Sequence, residues 1–167
     1  RELVKETGYP SMKVLQFAFD PNEAGKDGMI NAFLPHMYPQ ECVVYTGTHD
    51  NDTMQGWLNA APDAAVKIVA AYVTAKPQTV KDARAMAAGG ELCLCLVQTA
   101  IASSADMAVI PLQDIFAIGT EGRVNVPSTT GNNWSWRMSG GMLTKEKASW
   151  LAFTSDLYGR NIAKAGK

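Results

Sequence analysis

Residues 43–53 change abruptly from apolar to polar, and this change constrains the fold more than any other feature of the chain. The segment opens with β-branched and aromatic residues at 43–45 and closes with imidazole, carboxylate and amide side chains at 49–52. A strand that is buried on both faces of a parallel sheet reads as a continuous apolar run. Functional groups of parallel α/β folds lie at the carboxyl ends of such strands. The segment therefore predicts a buried parallel strand that ends in a functional site.

Three apolar segments, 12–19, 42–46 and 107–112, are predicted to be strands. They are separated by helical segments and by long loops at 20–40 and 113–138, which is the pattern of parallel strands with crossover connections. Loops of this length in compact domains are usually functional. The helices predicted between the second and third strands are 64–75, 80–88 and 91–103, and Thr144 is predicted to cap a further helix.

The composition excludes several classes of protein. A formal net charge of −1 over 167 residues gives no reason to expect binding to nucleic acid. No apolar run approaches the ~20 residues of a membrane span. The three cysteines are an odd number without framework spacing, which argues against a disulfide scaffold. A hydrophobic fraction of 47% is enough for a packed core.

The number of strands limits the architecture. A closed (β/α)₈ barrel needs about 250 residues, and a free-standing parallel sheet of three strands would leave both edges uncovered. The predicted fold class is therefore α/β, with residues 1–167 forming the last part of a single barrel domain whose earlier strands lie upstream. Arg1 is not a natural first residue, so we expect the chain to be a piece of a longer protein.

Polar residues follow each predicted strand at the point where it ends. Asp20 follows the first strand, His49 and Asp50 follow the second, and Gln113 and Asp114 follow the third. Since the carboxyl ends of parallel strands meet at one rim, these side chains are expected to gather there. Such a rim suits a polyhydroxylated ligand, because each hydroxyl both donates and accepts hydrogen bonds.

Simpler roles also explain the same residues on spacing alone. Asp50 or Asp52 would serve as the N-cap of the following helix, and Asp52 is the better candidate. His49, Asp50 and Asn51 are of the types that bind metals, although no further histidine or carboxylate has the spacing of a specific site.

Aromatic residues and one further histidine add to the candidates. Trp134 and Trp136 alternate with polar residues in a glycine-rich loop, which favours exposure at a site. Trp57 could stack on a sugar face, but a buried core position is commoner for tryptophan. His36 lies in the first long loop, where either a ligand contact or a hydrogen bond that pins the loop would explain it.

Six ordered motifs extend over most of the chain. They are KVLQFAF at 13–19, LPHxY at 34–38, VYTGTHDNDT at 44–53 with the glycine and tryptophan at 56–57, PLQD at 111–114, ExRxNxP at 121–127 and GNNWxWR at 131–137. Together they closely resemble the amylomaltases, the 4-α-glucanotransferases of glycoside hydrolase family 77. The resemblance implies a (β/α)₈ barrel, of which this chain would supply the last three strands.

The resemblance also implies a retaining reaction, in which one carboxylate is the nucleophile and a second is the acid/base. Asp50 falls on the family's third, supporting aspartate, which binds substrate hydroxyls and stabilises the transition state, and His49 falls on a substrate-binding histidine. The nucleophile and the acid/base have no match here, so the chain alone is expected to be inactive. The other residues expected to bind substrate are Asn51, Asp20, His36, Gln113, Asp114, Asn125 and Trp134.

The implied partners are a maltooligosaccharide or α-glucan substrate and the upstream part of the same barrel, with no nucleic acid and no membrane. No metal and no organic cofactor are expected, and the implied location is the cytoplasm, or the plastid in a plant or alga. Two alternatives stay open: a non-catalytic glucan-binding or assembly module, and a metal-dependent hydrolase on a similar barrel. Four loop residues depart from the family pattern and bear on acceptor preference: Met37, Gly122, Val124 and Ser128.

Overall fold

The computed structural model of the chain describes residues 6–20 and 31–161. Within them, β1 (Ser11–Val14) and β3 (Met107–Val109) flank β2 (Cys42–Tyr45) in one parallel sheet. The predicted parallel arrangement is confirmed. Of the first long loop, predicted over 20–40, residues 21–30 lie outside the described residues. The register of the sheet is defined by the pairs Ser11 with Cys42, Val14 with Tyr45, Val43 with Met107 and Tyr45 with Val109.

All three strands end earlier than the sequence predicts, the second by only one residue and the first and third by more. The first gives way to a 3₁₀ helix at Leu15–Ala18, in which the consecutive residues Leu15 and Gln16 are both buried. Neighbours on a strand would point to opposite faces of the sheet. The third strand stops before Pro111, which has no amide hydrogen for a sheet and instead precedes the short helix α5 at Leu112–Ile115.

Four helices connect β2 to β3, and the last three of them agree with the predicted helices 64–75, 80–88 and 91–103 to within one residue at each end. The four helices are α1 (Met54–Ala60), α2 (Asp63–Thr74), α3 (Val80–Ala88) and α4 (Glu91–Ala102). Gly90 joins α3 to α4 with a φ of 76°, a conformation that glycine adopts at little cost. Among the described helices, none alone is apolar and long enough to cross a membrane, and only α3 and α4 together reach that length, with an 83° bend between them.

The core lies between the sheet and these helices. Its fully buried apolar side chains include Val44, Leu58, Val66, Val69, Leu92 and Leu96. Trp57 is half-buried against this core. All three cysteines are free thiols, and burial raises the pKa of Cys42 and Cys93 above the ordinary thiol value. The second long loop contains α5 and a 3₁₀ turn at Thr120–Gly122.

The last described helix is α6 (Lys145–Leu157), and its N-cap is Thr144, as predicted. The Thr144 hydroxyl accepts a hydrogen bond from the amide of Lys147 at 3.2 Å. Beyond this helix, the guanidinium of Arg160 donates hydrogen bonds to backbone carbonyls in the last turn of α4 and just after it. These belong to Ile101, Ser103, Ala105 and Asp106.

Candidate active site

The residues after β2 form a tight turn at the end of the strand. Asn51 holds this turn, because its Oδ1 accepts hydrogen bonds from the Thr48 amide at 2.9 Å and from the Thr48 hydroxyl at 2.7 Å. The strand has already ended at Tyr45, so His49 and Asp50 need not point to opposite faces of the sheet. Their side chains lie together, with His49 Nε2 3.4 Å from Asp50 Oδ1.

A cavity of about 190 Å³ lies between this turn and the long loop that follows β3. Because its walls come from the ends of two neighbouring parallel strands, its position agrees with the rim that the sequence predicts. Five of the predicted site residues line it, namely His49, Asn51, Gln113, Asp114 and Trp134, and so does Asp52, which was predicted as a helix cap.

Asp50 stands beside this cavity and is held by the loop that follows β3. Its Oδ1 accepts a hydrogen bond from Asn125 Nδ2 at 2.6 Å, and its backbone carbonyl accepts one from Arg123 Nη2 at 2.8 Å. The side chain is 51% exposed. No described residue donates a hydrogen bond to Asp50 Oδ2. One carboxylate oxygen is therefore fixed in place, while the other is free to accept from a ligand.

His49 packs against Trp134, with the ring centroids 5.2 Å apart. Trp134 has a φ of 63° and its side chain is well exposed. A left-handed conformation is costly for a residue with a large side chain and persists only where its surroundings enforce it. Here the amide of Trp134 donates to the carbonyl of Val124 at 2.7 Å, which fixes the indole beside the imidazole. The pair offers an aromatic face next to Asp50.

The helix that follows the turn is capped by Thr53, and the prediction of a cap at Asp50 or Asp52 is wrong. The Thr53 hydroxyl accepts from the amide of Gly56 at 3.0 Å, so that the cap lies one residue later than the better candidate. Asp52 instead accepts from the Thr120 hydroxyl at 2.8 Å and from the adjacent Thr53 amide. Asp52 thus connects the turn after β2 to the loop after β3.

Close packing around Asp52 explains the glycine in the first turn of α1. A Cβ on Gly56 would lie 2.6 Å from Asp52 Oδ1, so that any larger residue at that position would require the Asp52 carboxylate to move. On its other side, the backbone carbonyl of Asp52 accepts from Gln16 Nε2 at 2.8 Å. The loops after all three strands are therefore joined at this residue.

Gln113 and Asp114 form the buried floor of the cavity. Gln113 donates to the carbonyl of Gly122 at 3.1 Å. Asp114 is 1% exposed and accepts from the Thr46 hydroxyl at 2.5 Å and from the Met54 amide at 2.7 Å. Burial raises the pKa of the Asp114 carboxyl above its ordinary value. Both oxygens of Asp114 serve the fold, and contact of either residue with substrate stays a prediction.

Asp50 and Asn125 adjoin this cavity without lining it, and three further predicted residues also lie outside its lining. His36 has its Nδ1 3.1 Å from the Tyr72 hydroxyl, and the two rings stack. Asp20 is half-buried at the edge of the described residues. Trp136 lines a separate surface depression in the loop after β3. The structure does not bring these three further residues to the site, so a substrate role for His36 or Asp20 stays a prediction.

Arg123 was not among the predicted site residues, although its hydrogen bond to Asp50 joins the two loops that form the site. Besides its bond to Asp50, its Nε donates to the carbonyl of Asn125 at 3.0 Å. The motif ExRxNxP placed it two residues before Asn125, but a local pattern gives no sign of a contact 73 residues away. Gly122 and Val124, two of the departures from the family pattern, also line the cavity.

Within the described residues, no group of three or more His, Cys, Asp or Glu side chains is arranged to hold a metal ion. The donors and acceptors of the site are instead single carboxylate, amide, guanidinium and imidazole groups on loops at the ends of parallel strands.

A parallel sheet with polar loops at its carboxyl edge is the architecture of the α/β proteins, barrels among them. Residues 1–144 match the model of the 4-alpha-glucanotransferase family, glycoside hydrolase family 77. The chain belongs to this family, as its motifs indicate.

Relatives from bacteria and plants support the assignment. The chain is 42% identical over 146 residues to a 4-alpha-glucanotransferase of Thermus thermophilus, covering 86% of this chain and 27% of that protein. It is 37% identical over 161 residues to the enzyme of Streptococcus pneumoniae, covering 95% and 28%. A chloroplastic/amyloplastic enzyme of Solanum tuberosum is 39% identical over 137 residues, covering 82% and 21%. The chain thus spans less than a third of the length of each.

A solved structure shows the same fold. The amylomaltase from Streptococcus agalactiae, in complex with acarbose, superposes with a TM-score of 0.78 at 25% identity, covering 95% of this chain and 29% of that one. The match confirms the predicted fold class, an α/β unit that forms part of an amylomaltase-type (β/α)₈ barrel. That all 167 residues belong to one barrel domain stays a prediction.

Proposed function

We propose that this chain is the part of a 4-α-glucanotransferase that carries its supporting aspartate, Asp50. The observation that carries the proposal is the set of contacts that this carboxylate makes. Asn125 fixes Oδ1, no described residue engages Oδ2, and the His49–Trp134 pair lies alongside. A fixed carboxylate with one open oxygen is suited to accept hydrogen bonds from two sugar hydroxyls, and an aromatic face is suited to pack on a sugar ring.

In the proposed reaction, the intact enzyme cleaves an α-1,4 glucosidic bond and holds a glucosyl ester on its nucleophile. It then passes the glucan to the 4-hydroxyl of another sugar. Asp50 would contribute by accepting hydrogen bonds that strengthen as positive charge develops on the sugar ring. The nucleophile and the acid/base would come from upstream strands. We expect no metal and no organic cofactor, because carboxylates fill both roles.

The upstream part of the barrel is the second partner that we propose. In the described sheet, β1 and β3 each pair only with β2, so that each has one open edge. The side chains of Met12, Met107 and Val109 are exposed on these two strands. Strands upstream would cover both edges and close the barrel. By analogy with the bacterial and plastid relatives, we place the enzyme in the cytoplasm or the plastid.

The experiment is a disproportionation assay with maltotriose. The full-length protein that contains this chain should release glucose and form longer maltodextrins, whereas the 167-residue chain alone should form neither above a mock purification. Transfer by the chain alone would show that the catalytic pair has been misplaced. A full-length protein that binds maltotriose without converting it would favour the alternative of a non-catalytic glucan-binding module. This alternative is supported by the fact that only one of the three family carboxylates, Asp50, has a match in this chain.

A further inference from the structure

One guanidinium bonds to the backbone of both residues whose side chains meet at the candidate site. Arg123 donates through Nη2 to the carbonyl of Asp50 at 2.8 Å and through Nε to the carbonyl of Asn125 at 3.0 Å. Those two residues are themselves joined by the hydrogen bond from Asn125 Nδ2 to Asp50 Oδ1. The three hydrogen bonds thus link Arg123, Asp50 and Asn125 to one another and connect the loop after β2 with the loop after β3.

The geometry of a guanidinium suits this task. Its donors lie in one plane at fixed angles, so two carbonyls that bond to it are held at a fixed separation. A lysine ammonium would supply the charge as a single point without that constraint. Arg123 makes no ion pair with any described carboxylate. Its hydrogen bonds in the described residues therefore serve backbone geometry, although the half-buried side chain also borders the cavity.

We propose that Arg123 is a positioning residue that acts through Asp50. By fixing both carbonyls, it sets the distance between the loops after β2 and β3, and thereby the 2.6 Å contact that aims the carboxylate of Asp50. This inference rests on the proposed function of Asp50. Loss of Arg123 would loosen the two loops beside Asp50, although the Asp52–Thr120 hydrogen bond would still join them, and it would leave both side chains present.

Arg84 provides a matched control within the same chain. It also donates to two backbone carbonyls, those of Leu58 at 3.0 Å and Ala61 at 2.6 Å, and it pairs with Asp63. It lies outside the lining of the candidate cavity. If guanidinium–carbonyl bonds matter here only for stability, alanine substitution of either arginine should lower the unfolding temperature and leave kcat unchanged.

The test uses the full-length protein and measures kcat, KM and unfolding temperature with maltotriose as substrate. Arg123→Ala should lower kcat by about 10- to 100-fold, as expected when a reacting group is misplaced by up to ~1 Å, with KM changed by less than about threefold. Millimolar guanidinium ion should restore part of that loss, and Arg123→Lys should fall between the alanine variant and the wild type. Arg84→Ala should lower the unfolding temperature and leave kcat unchanged.

Three results would overturn the proposal. One is an Arg123→Ala variant with wild-type kcat, and another is a variant whose only change is a raised KM. The third is a loss that neither guanidinium nor lysine relieves. Failure of the proposed function looks different, because the wild type would then show no transfer, or Asp50→Asn would be fully active. If Asp50→Asn is impaired while Arg123→Ala is not, only the positioning role fails.

Discussion

Asn125 Nδ2 lies 2.6 Å from Asp50 Oδ1, although the two residues are 75 positions apart in the sequence. The contact joins the loop after β2 to the loop after β3 at the point where Asp50 faces solvent. It leaves Oδ2 as the oxygen that can meet a substrate hydroxyl. The orientation of this carboxylate is therefore a property of two loops together.

Removing the amide of Asn125 should impair catalysis through Asp50. We expect Asn125→Ala to lower kcat by about 10- to 100-fold, equivalent to roughly 1.4–2.7 kcal/mol, because Oδ1 loses the donor that orients the carboxylate. The measurement is a double-mutant cycle with Asp50→Asn in the full-length protein, followed as kcat for maltotriose. Because the two residues act as a unit, the double variant should lose little more than the worse single variant. Additive losses would show that the contact has no catalytic role.

Substitution of His49 should weaken binding of the sugar. We expect His49→Ala to lower kcat/KM by about tenfold, close to 1.4 kcal/mol, because it removes both a hydrogen-bonding group and the ring that packs on Trp134. His49→Phe keeps the aromatic contact and should recover part of the loss. EDTA should leave activity unchanged, and stoichiometric zinc or manganese in the purified protein would favour the metal-dependent alternative instead.

The buried carboxylate of Asp114 should make stability depend on pH. Burial raises its pKa in the folded protein, so the folded state binds a proton more tightly than the unfolded state does. Its contribution to stability is therefore greatest below the unfolded pKa of about 3.9 and declines as the pH rises through the folded pKa. Asp114→Asn removes this titration and should still bond to Thr46 and Met54, because the Thr46 hydroxyl can accept as well as donate.

The measurement is the unfolding temperature of the full-length protein and the Asp114→Asn variant between pH 4 and pH 8. The unfolding temperature of the variant should rise relative to that of the wild type as the pH rises. Asp114→Ala should lose stability at every pH, by about 2–4 kcal/mol, because it leaves two buried donors without an acceptor. A constant difference between the wild type and Asp114→Asn, or one of opposite sign, would rule out the titration of Asp114 as a source of pH dependence.

Alanine substitution should lower stability at Gly56 but not at Gly89. Gly56→Ala would place a Cβ 2.6 Å from the Asp52 carboxylate and displace it from Thr120, so we expect a loss of about 1–3 kcal/mol. At Gly89 the φ is −77° and the nearest atom to an added Cβ is 3.5 Å away, so alanine should be neutral or gain about 0.4–1 kcal/mol. Urea unfolding of both variants in the full-length protein measures this. A stabilising Gly56→Ala would show that Asp52 moves freely.

The sequence predicts the sheet and the helices of this chain well, because each follows from local periodicity. The apolar run of β2 and the helical spacing of α2 to α4 depend on residues within one segment. The early end of the third strand is a local effect of Pro111, whereas the other errors occur where distant contacts are made. The first predicted strand turns at Leu15, and the cap of α1 is Thr53, while Asp52 serves the loop after β3.

The sequence predicts only part of the site, because some of its residues follow from the ends of strands while others depend on distant contacts. Strand ends place His49, Asp50 and Gln113 at one rim, since parallel strands share an edge. The bond of Arg123 to a carbonyl 73 residues away leaves no local pattern, and the motif that contains it does not say which groups its donors meet. His36 shows the reverse case, because the sequence left open a ligand contact or a hydrogen bond that pins the loop, and the structure places its ring against Tyr72.

The most direct test of the account is kcat for maltotriose disproportionation by the full-length protein and its Asp50→Asn variant. The substitution keeps the size of the side chain and an oxygen for Asn125, but it replaces the open carboxylate oxygen by an amide donor and removes the negative charge. We predict a fall in kcat of at least ~100-fold, about 2.7 kcal/mol, with a smaller change in KM. Asp82→Asn, at an exposed carboxylate outside the cavity that accepts from Thr79, should leave kcat unchanged. Near-normal kcat in Asp50→Asn would contradict the assignment of Asp50 as the supporting carboxylate.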